Sequence, residues 1–374
     1  MVSSSRPLKI LAFWGQGWSL QFEHCFRPGF LDNPKYEVEL VSGDRKTRSN
    51  CVATFKRLLA LRRRLIAGEF DLIVCGINEE DGWPVNRRLP ARLKICLRYL
   101  FKRRRVLDTF WAPILLRDKR IKTPMAAIDY RDESFVAPSE FLLLEASTLF
   151  FKSNLYHWPH RSIAPLSAFL GYSRVQRLRS RLRPSCYYVP ITSKPEKVTP
   201  IRERDIDVLF TGVIRPWANK GDMEVLPVRQ YIYETCLRLK EKGRYNVVAI
   251  DGKVSMEEYE SLLQRSKLVA CAESVACETS RHYDTPLFGA VPLANWPYAD
   301  CWKPFIPDEH AFFFSVYGND FEKVVDRALS DLNRLQVVAD QSRAFTLEYK
   351  FPRAIADHIV SETLRHYAES QPAK

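Results

Sequence analysis

Twice along this chain of 374 residues, short apolar runs that end on a glycine or an acid alternate with amphipathic stretches of helical period. That alternation limits the fold more than any other feature. Parallel strands joined by helical crossovers produce it, whereas hairpins joined by tight turns do not. In the first half, residues 9–15 read as a buried strand running into the loop Gly15-Gln16-Gly17, and residues 36–41 as a second strand stopped at Ser42-Gly43-Asp44. Apolar residues at 55, 58, 59, 61, 65 and 66 fall on one face of a helix. Residues 71–75 form a third strand before Gly76, with further strands expected at 125–128 and 146–151.

Residues 184–205 hold four prolines and little helical pattern, which marks a linker. The alternation then restarts, with strands at 207–210, 245–250, 267–272 and 291–294 and helices at 228–242, 256–265 and 282–289. Two closing helices follow, at 320–335 and 351–367. The reading is therefore α/β, with an N-terminal domain over 1–185, a linker over 186–205 and a second doubly wound domain over 206–345. A last helix over 346–374 is expected to pack back on the first domain. Ligands of open α/β sheets bind outside the carboxyl ends of the strands. Two such domains facing across a cleft would gather the loops after Gly15, Gly76, Asp129, Gly212, Asp251 and Glu273 around one site.

Composition narrows the partners. The 57 Lys and Arg exceed the 44 Asp and Glu by 13, a balance that favours an anionic partner: nucleic acid, membrane surface or phosphorylated small molecule. Nine cysteines, an odd number, are scattered without a C-x-x-C pair and several sit in apolar strands. Reduced thiols in a reducing compartment are expected, with no disulfide or zinc framework. No uncharged run approaches the ~18 residues of a membrane span, and the apolar stretch after Lys9 is short for a signal peptide. A cytoplasmic location follows as an expectation.

The most informative stretch is SKLVACAESVACETSRHYDTPLFGAVPLAN, residues 266–295. A strand delivers Glu273 and Ser274, a short loop Glu278 and Arg281, and a helix Asp284 before Gly289 and the next strand. A carboxylate can accept the hydroxyls of a ribose or sugar, while an Arg and helix N-terminal amides can hold a diphosphate. The bland alternative is an ordinary helix start at Glu278-Thr279-Ser280. The segment GVIRPWANKG, residues 212–221, follows a strand and carries Arg215 and Lys220, either a diphosphate loop or a solvated basic one.

With FIPDEHAFFFSV at 305–316, these residues resemble the donor-binding half of GT-B glycosyltransferases, and within them the exostosin-like and glycosyltransferase group 1-like families. The resemblance spans 205 to about 330; the first half is similar only in layout. One departure is Asp284, where the family carries Glu, so its reach is shorter by one methylene. The resemblance implies two Rossmann-like domains across a cleft and transfer of a sugar from a nucleotide-sugar donor to a hydroxyl acceptor, a glycan or lipid-linked glycan. It implies donor contacts at Gly212, Arg215, Lys220, Glu273, Ser274, Arg281 and Asp284. No metal and no cofactor are expected: an Arg and a Lys can stabilise the leaving diphosphate, and no D-x-D stands at a strand end. A nucleotide-sugar epimerase on the same fold, and a non-catalytic protein binding anionic surfaces, remain as alternatives.

A transferase of the inverting kind needs a base within hydrogen-bond reach of the acceptor hydroxyl. Asp129, Asp132 and Glu133 follow a predicted strand, and His24 and the turn Glu79-Glu80-Asp81 compete with them. Asp129 is preferred, with a solvated acid or a satisfied histidine as the plain reading of each. Gly15 and Gly17 would let backbone approach phosphate or acceptor, or simply form a turn. Residues 87–105 carry nine bases and no acid, with apolar positions able to share a helix face. They read either as an anionic-membrane surface for a peripheral enzyme or as a core-packed helix with a solvated face. Nucleic acid is not expected, since no stacking aromatics interleave with these bases. His157 and His160 flank a proline without nearby acids, a poor ligand set.

Overall fold

The computed structural model describes residues 6–13, 22–41, 51–76, 118–129, 136, 141–163, 172–186, 195–214, 227–273 and 277–371. The chain divides into two compact units, Met1–Cys186 with Pro352–Lys374, and Tyr187–Phe351.

The first unit holds strands β1 (Leu8–Phe13), β2 (Tyr36–Val41), β3 (Leu72–Gly76), β4 (Met125–Asp129), β5 (Leu149–Lys152) and β6 (Leu182–Pro184). Their order across the sheet is 2-1-3-4-5-6, and every pairing is parallel. Runs such as Leu-Ile-Val-Cys in β3 and Met-Ala-Ala-Ile in β4 are buried residue after residue. Such runs are what a parallel sheet covered on both faces demands. Helix α1 (Cys51–Ile66) begins four residues earlier than its apolar periodicity indicates. A π-helical segment, Phe22–Leu31, and the short helices α2 (Phe141–Ala146), α3 (Pro159–Ser162) and α4 (Tyr172–Arg179) had no clear signal in the sequence. Helices of four to eight residues complete too few turns for a periodic face to stand out.

The second unit is the tidier one. Its strands are β7 (Ile206–Gly212), β8 (Val247–Asp251), β9 (Ser266–Cys271), β10 (Val291–Asn295) and β11 (Phe312–Phe314), in the order 11-10-9-7-8 and all parallel. Helix α5 (Pro227–Glu241) covers one face with Val228, Ile232, Cys236 and Leu239. Helices α6 (Met256–Arg265) and α7 (Ser280–Leu287) cover the other, through Leu262, Leu263, Tyr283 and Leu287. The expected helix over 320–335 is two, α8 (Phe321–Leu329) and α9 (Leu332–Tyr349). Asp331 causes the break: its carboxylate accepts from the N–H groups of Asn333 at 3.0 Å and Arg334 at 3.1 Å, the geometry of a new N-cap.

The proline-rich segment is not loose where the structure describes it. Ile201 is buried and its N–H donates to Gln336 Oε1 at 2.7 Å. Arg204, 3% exposed, donates to the carbonyls of Thr199, Leu263, Ser266 and Phe288 at 2.7–3.1 Å. Burial lowers its pKa to about 10. The final helix, α10 (Pro352–Ser370), belongs to the first unit, where Asp357 binds Asn33, Lys35 and Tyr36. Gly29 packs so tightly on it that a Cβ would lie 2.8 Å from the Pro352 carbonyl oxygen.

Candidate functional site

In a sheet of order 11-10-9-7-8, the winding direction reverses between β7 and β9, so the helices that follow these two strands leave to opposite faces. Their N-termini and the strand ends frame a crevice, the place where open α/β sheets take ligands. β7 ends there at Gly212, and the next turn is held from three sides. The Gly212 carbonyl accepts from Gly252 N–H at 3.1 Å, Asp251 Oδ1 accepts from Ile214 N–H at 3.0 Å, and Arg229 Nη1 donates to the Val213 carbonyl at 3.5 Å.

Two guanidiniums converge on this turn. Arg281, in the first turn of α7, lies against Gly212, with Nη2 only 3.5 Å from where a Cβ at that position would stand. Arg229 comes from the first turn of α5 on the other face. Burial lowers the pKa of Arg229, and the positive charge of Arg281 lowers it further. Two like charges are thus held close together, and the buried Nε of each has no hydrogen-bond partner among the described residues. An anion with several oxygens is the kind of ligand that would relieve the repulsion between the two guanidiniums.

Asp284, one helical turn beyond Arg281, is half-buried, with the Tyr259 hydroxyl and Ser280 beside it. Burial raises its carboxyl pKa to about 7, against the opposing pull of Arg281. Burial also raises the pKa of the Tyr259 hydroxyl, and the Asp284 carboxylate raises it further. Glu273 follows β9, half-buried, and its pKa is raised by burial. It pairs reciprocally with Asn295 at the end of β10: Asn295 Nδ2 donates to Glu273 Oε2 at 2.8 Å, and the Glu273 N–H donates to Asn295 Oδ1 at 3.0 Å.

The loop before α7 has a structural duty. Thr279 is the N-cap, its N–H donating to His282 Nδ1 at 3.0 Å. Burial lowers the His282 pKa to about 4, so the imidazole is neutral. Glu278 is buried. Desolvation works to raise its pKa, but the Lys350 ammonium and the Tyr283 hydroxyl outweigh it and hold the carboxylate below its usual range. Cys301 Sγ also donates to it at 3.1 Å. Lys350 is itself fully buried, over the rings of Tyr283, Phe305 and Phe345. This network fixes the direction in which α7 starts, and hence where Arg281 points.

Of the donor residues expected from the sequence, the second unit brings Gly212, Arg281 and Asp284 together and sets Glu273 at the neighbouring strand end. Arg215, Lys220 and Ser274 lie outside the described residues, as do Gly15, Gly17, Asp132, Glu133, Glu79, Glu80, Asp81 and the segment 87–105. Asp129 closes β4 with no exposed surface. Its Oδ2 is 2.6 Å from Nζ of Lys152, its register partner on β5 and equally buried. His24 is half-buried in the π-helical segment. His157 is exposed. Among the described residues no group of three or more His, Cys, Asp or Glu is placed to hold a metal ion, Cys25, Cys75, Cys186, Cys236, Cys271, Cys277 and Cys301 are free thiols, and no helix is long and apolar enough to cross a membrane.

Sequence reasoning missed Arg229, Tyr259 and Asn295. Arg229 had a signal, a base in the first turn of a helix that follows a strand ending in glycine. Tyr259 and Asn295 come from other elements and had none.

No family model and no curated protein matches the chain. Among solved structures it is similar to a glycosyltransferase from Rickettsia africae, at 10% identity over 98% of this chain and 100% of that one, with a TM-score of 0.48. It is also similar to an alpha-glucosyltransferase in complex with UDP and a 13-mer DNA, at 11% identity over 97% and 100% of the two chains and a TM-score of 0.48. The Anabaena protein HepE, in complex with UDP and glucose, is similar at 11% identity over 96% and 99%, with a TM-score of 0.45. Values at this level do not bear on activity.

Proposed function

We propose that this chain is a glycosyltransferase of the GT-B kind, moving a sugar from a nucleotide-sugar to a hydroxyl of a glycan or lipid-linked glycan. The observation that carries the proposal is the pair Arg281 and Arg229, brought from opposite faces of the second sheet onto the turn after Gly212 with their like charges close together. Transfer breaks the bond from the anomeric carbon to the diphosphate, and negative charge grows on the departing oxygen. Preorganised guanidiniums meet that charge without reorganising, so the reaction is proposed to need neither metal nor cofactor. Arg215 and Lys220, in the continuation of the same turn, would add charge to it. Asp284, neutral or ionised around pH 7, would set how much positive charge Arg281 presents.

For the base, Asp129, Asp132 and His24 remain the proposed candidates. Asp129 would have to give up its bond to the Lys152 ammonium to take a proton. A lipid-linked acceptor would suit the nine bases of residues 87–105, which would place the enzyme at an anionic membrane face.

The test is turnover with UDP-, GDP-, dTDP- and ADP-sugars labelled in the sugar. Release of a nucleoside diphosphate, with the label on water or an added glycan and lost in Arg281→Ala, is the expected result. Label recovered in an altered nucleotide-sugar without diphosphate release would favour the epimerase. No reaction and no binding with any of them would overturn the proposal.

A further inference from the structure

One large aromatic side chain at the same edge of the second sheet is left in solvent. Trp296 follows Asn295 directly and is 55% exposed. Its position is not loose: its N–H donates to the Phe314 carbonyl at 3.1 Å, and one face of the indole stacks on Phe313 at 5.0 Å between centroids and 24° between planes. Phe313 in turn packs into the core beneath α6 and α7. A ring fixed on one face and open on the other is a stacking platform.

Its neighbours say what it would stack. Along the carboxyl edge of the sheet, the Arg281 guanidinium sits at the end of β7, the Glu273 carboxylate follows β9, and Trp296 follows β10. Adjacent strands lie about 4.8 Å apart, so the first and last of these stand roughly 10 Å apart along the edge. Cation, hydroxyl-accepting carboxylate and flat ring thus occur in the order of the diphosphate, ribose and base of a nucleoside diphosphate. A pyranose on the indole would need several polar partners for its hydroxyls, and one oxygen of Glu273, at the neighbouring strand end, is already engaged by Asn295.

We infer that the open face of Trp296 stacks the nucleobase of the donor, with Glu273 on the ribose hydroxyls and Arg281 on the diphosphate. This rests on the donor-site reading proposed above. Stacking tolerates every base, so Trp296 supplies affinity rather than choice among bases.

The test is titration calorimetry of the full chain and of Trp296→Ala and Trp296→Phe. The probes are inorganic pyrophosphate, the nucleoside diphosphates UDP, GDP, dTDP and ADP, and the corresponding nucleotide-sugars. Trp296→Ala should weaken nucleoside diphosphates about 10- to 100-fold, the usual worth of one base on an aromatic ring. Trp296→Phe should recover most of that loss, and pyrophosphate affinity should not change. Equal losses for pyrophosphate and nucleotide would mean that the ring only supports the fold, overturning the inference. So would unchanged nucleotide affinity, or a loss confined to the sugar-bearing ligands, which would place the pyranose on the ring. If the wild type bound neither pyrophosphate nor any nucleotide, the donor-site reading itself would fall.

Discussion

Asp284 offers a prediction whose sign and size both follow from its surroundings. Its carboxyl is half-buried beside Tyr259 and Ser280, and burial raises its pKa to about 7 despite Arg281 one turn earlier. An unfolded chain would ionise the same group near pH 3.9. Between those values the native state holds a proton that the unfolded state has released, so stability falls as pH rises through this window, and the penalty is complete above the folded pKa. At 1.36 kcal/mol per unit, the full penalty is on the order of 4 kcal/mol, an upper value because the side chain keeps some contact with water. Asp284→Asn removes the titration and keeps the shape. The variant should therefore be more stable than the wild type at pH 8, and the gain should shrink by about 2.5 kcal/mol on going to pH 5. Urea unfolding of both proteins at pH 5, 6, 7 and 8 reads this directly, provided that the transition of the second unit is followed by itself. A difference independent of pH would mean that the Asp284 carboxyl does not titrate differently in the folded and unfolded chains. An Asn variant weaker than the wild type at every pH would contradict the raised pKa, since the carboxylate would then be ionised and its attraction to Arg281 would outweigh burial.

Other consequences can be checked on the same material. Arg204→Met leaves four carbonyls without their donor and should cost the second unit about 3–5 kcal/mol in urea unfolding. Gly289 has φ +72°, and a Cβ there would meet Arg204 Nη2 at 2.8 Å and Val198 Cβ at 2.9 Å, so Gly289→Ala should cost about 2–3 kcal/mol. Lys152→Met removes the ammonium that pairs with the buried Asp129 carboxylate and should cost about 3–5 kcal/mol, with part of the loss recovered on adding Asp129→Asn. Turnover kept by the folded double variant would show that the base lies elsewhere.

What could be read from the sequence follows the length and regularity of the elements. Four of the five strands of the second unit and the helix over 256–265 stand where their patterns put them, because apolar runs bounded by Gly, Asp and Ser leave little choice of register, whereas the three-residue β11 had no such pattern. Strand β6 and the helix Phe141–Ala146 escaped because they are too short for a period to show. The single helix expected over 320–335 failed at Asp331, whose capping role depends on its own backbone turning, not on the hydrophobic pattern. In the candidate site, the juxtaposition of Gly212, Arg281 and Asp284 could be anticipated from one contiguous stretch and a strand end. Arg229 could not be joined to them without knowing that the winding of the sheet reverses between β7 and β9. Nor could the Glu278, Cys301 and Lys350 network be foreseen, since its members lie more than 70 residues apart at the extremes and meet only through the packing of α7 and α9.

Two arginines from opposite faces of the second sheet are proposed to hold the diphosphate of a nucleotide-sugar. Calorimetric titration of UDP, GDP, dTDP and ADP into the wild type, Arg281→Ala and Arg229→Ala, at one pH and one salt concentration, tests this most directly. At least one of these nucleotides should bind the wild type, and each variant should lose about 1.5–3 kcal/mol, or roughly 10- to 150-fold in affinity. A nucleotide that binds all three proteins equally would have its phosphates held somewhere other than the turn after Gly212, and the two arginines would have no part in donor binding.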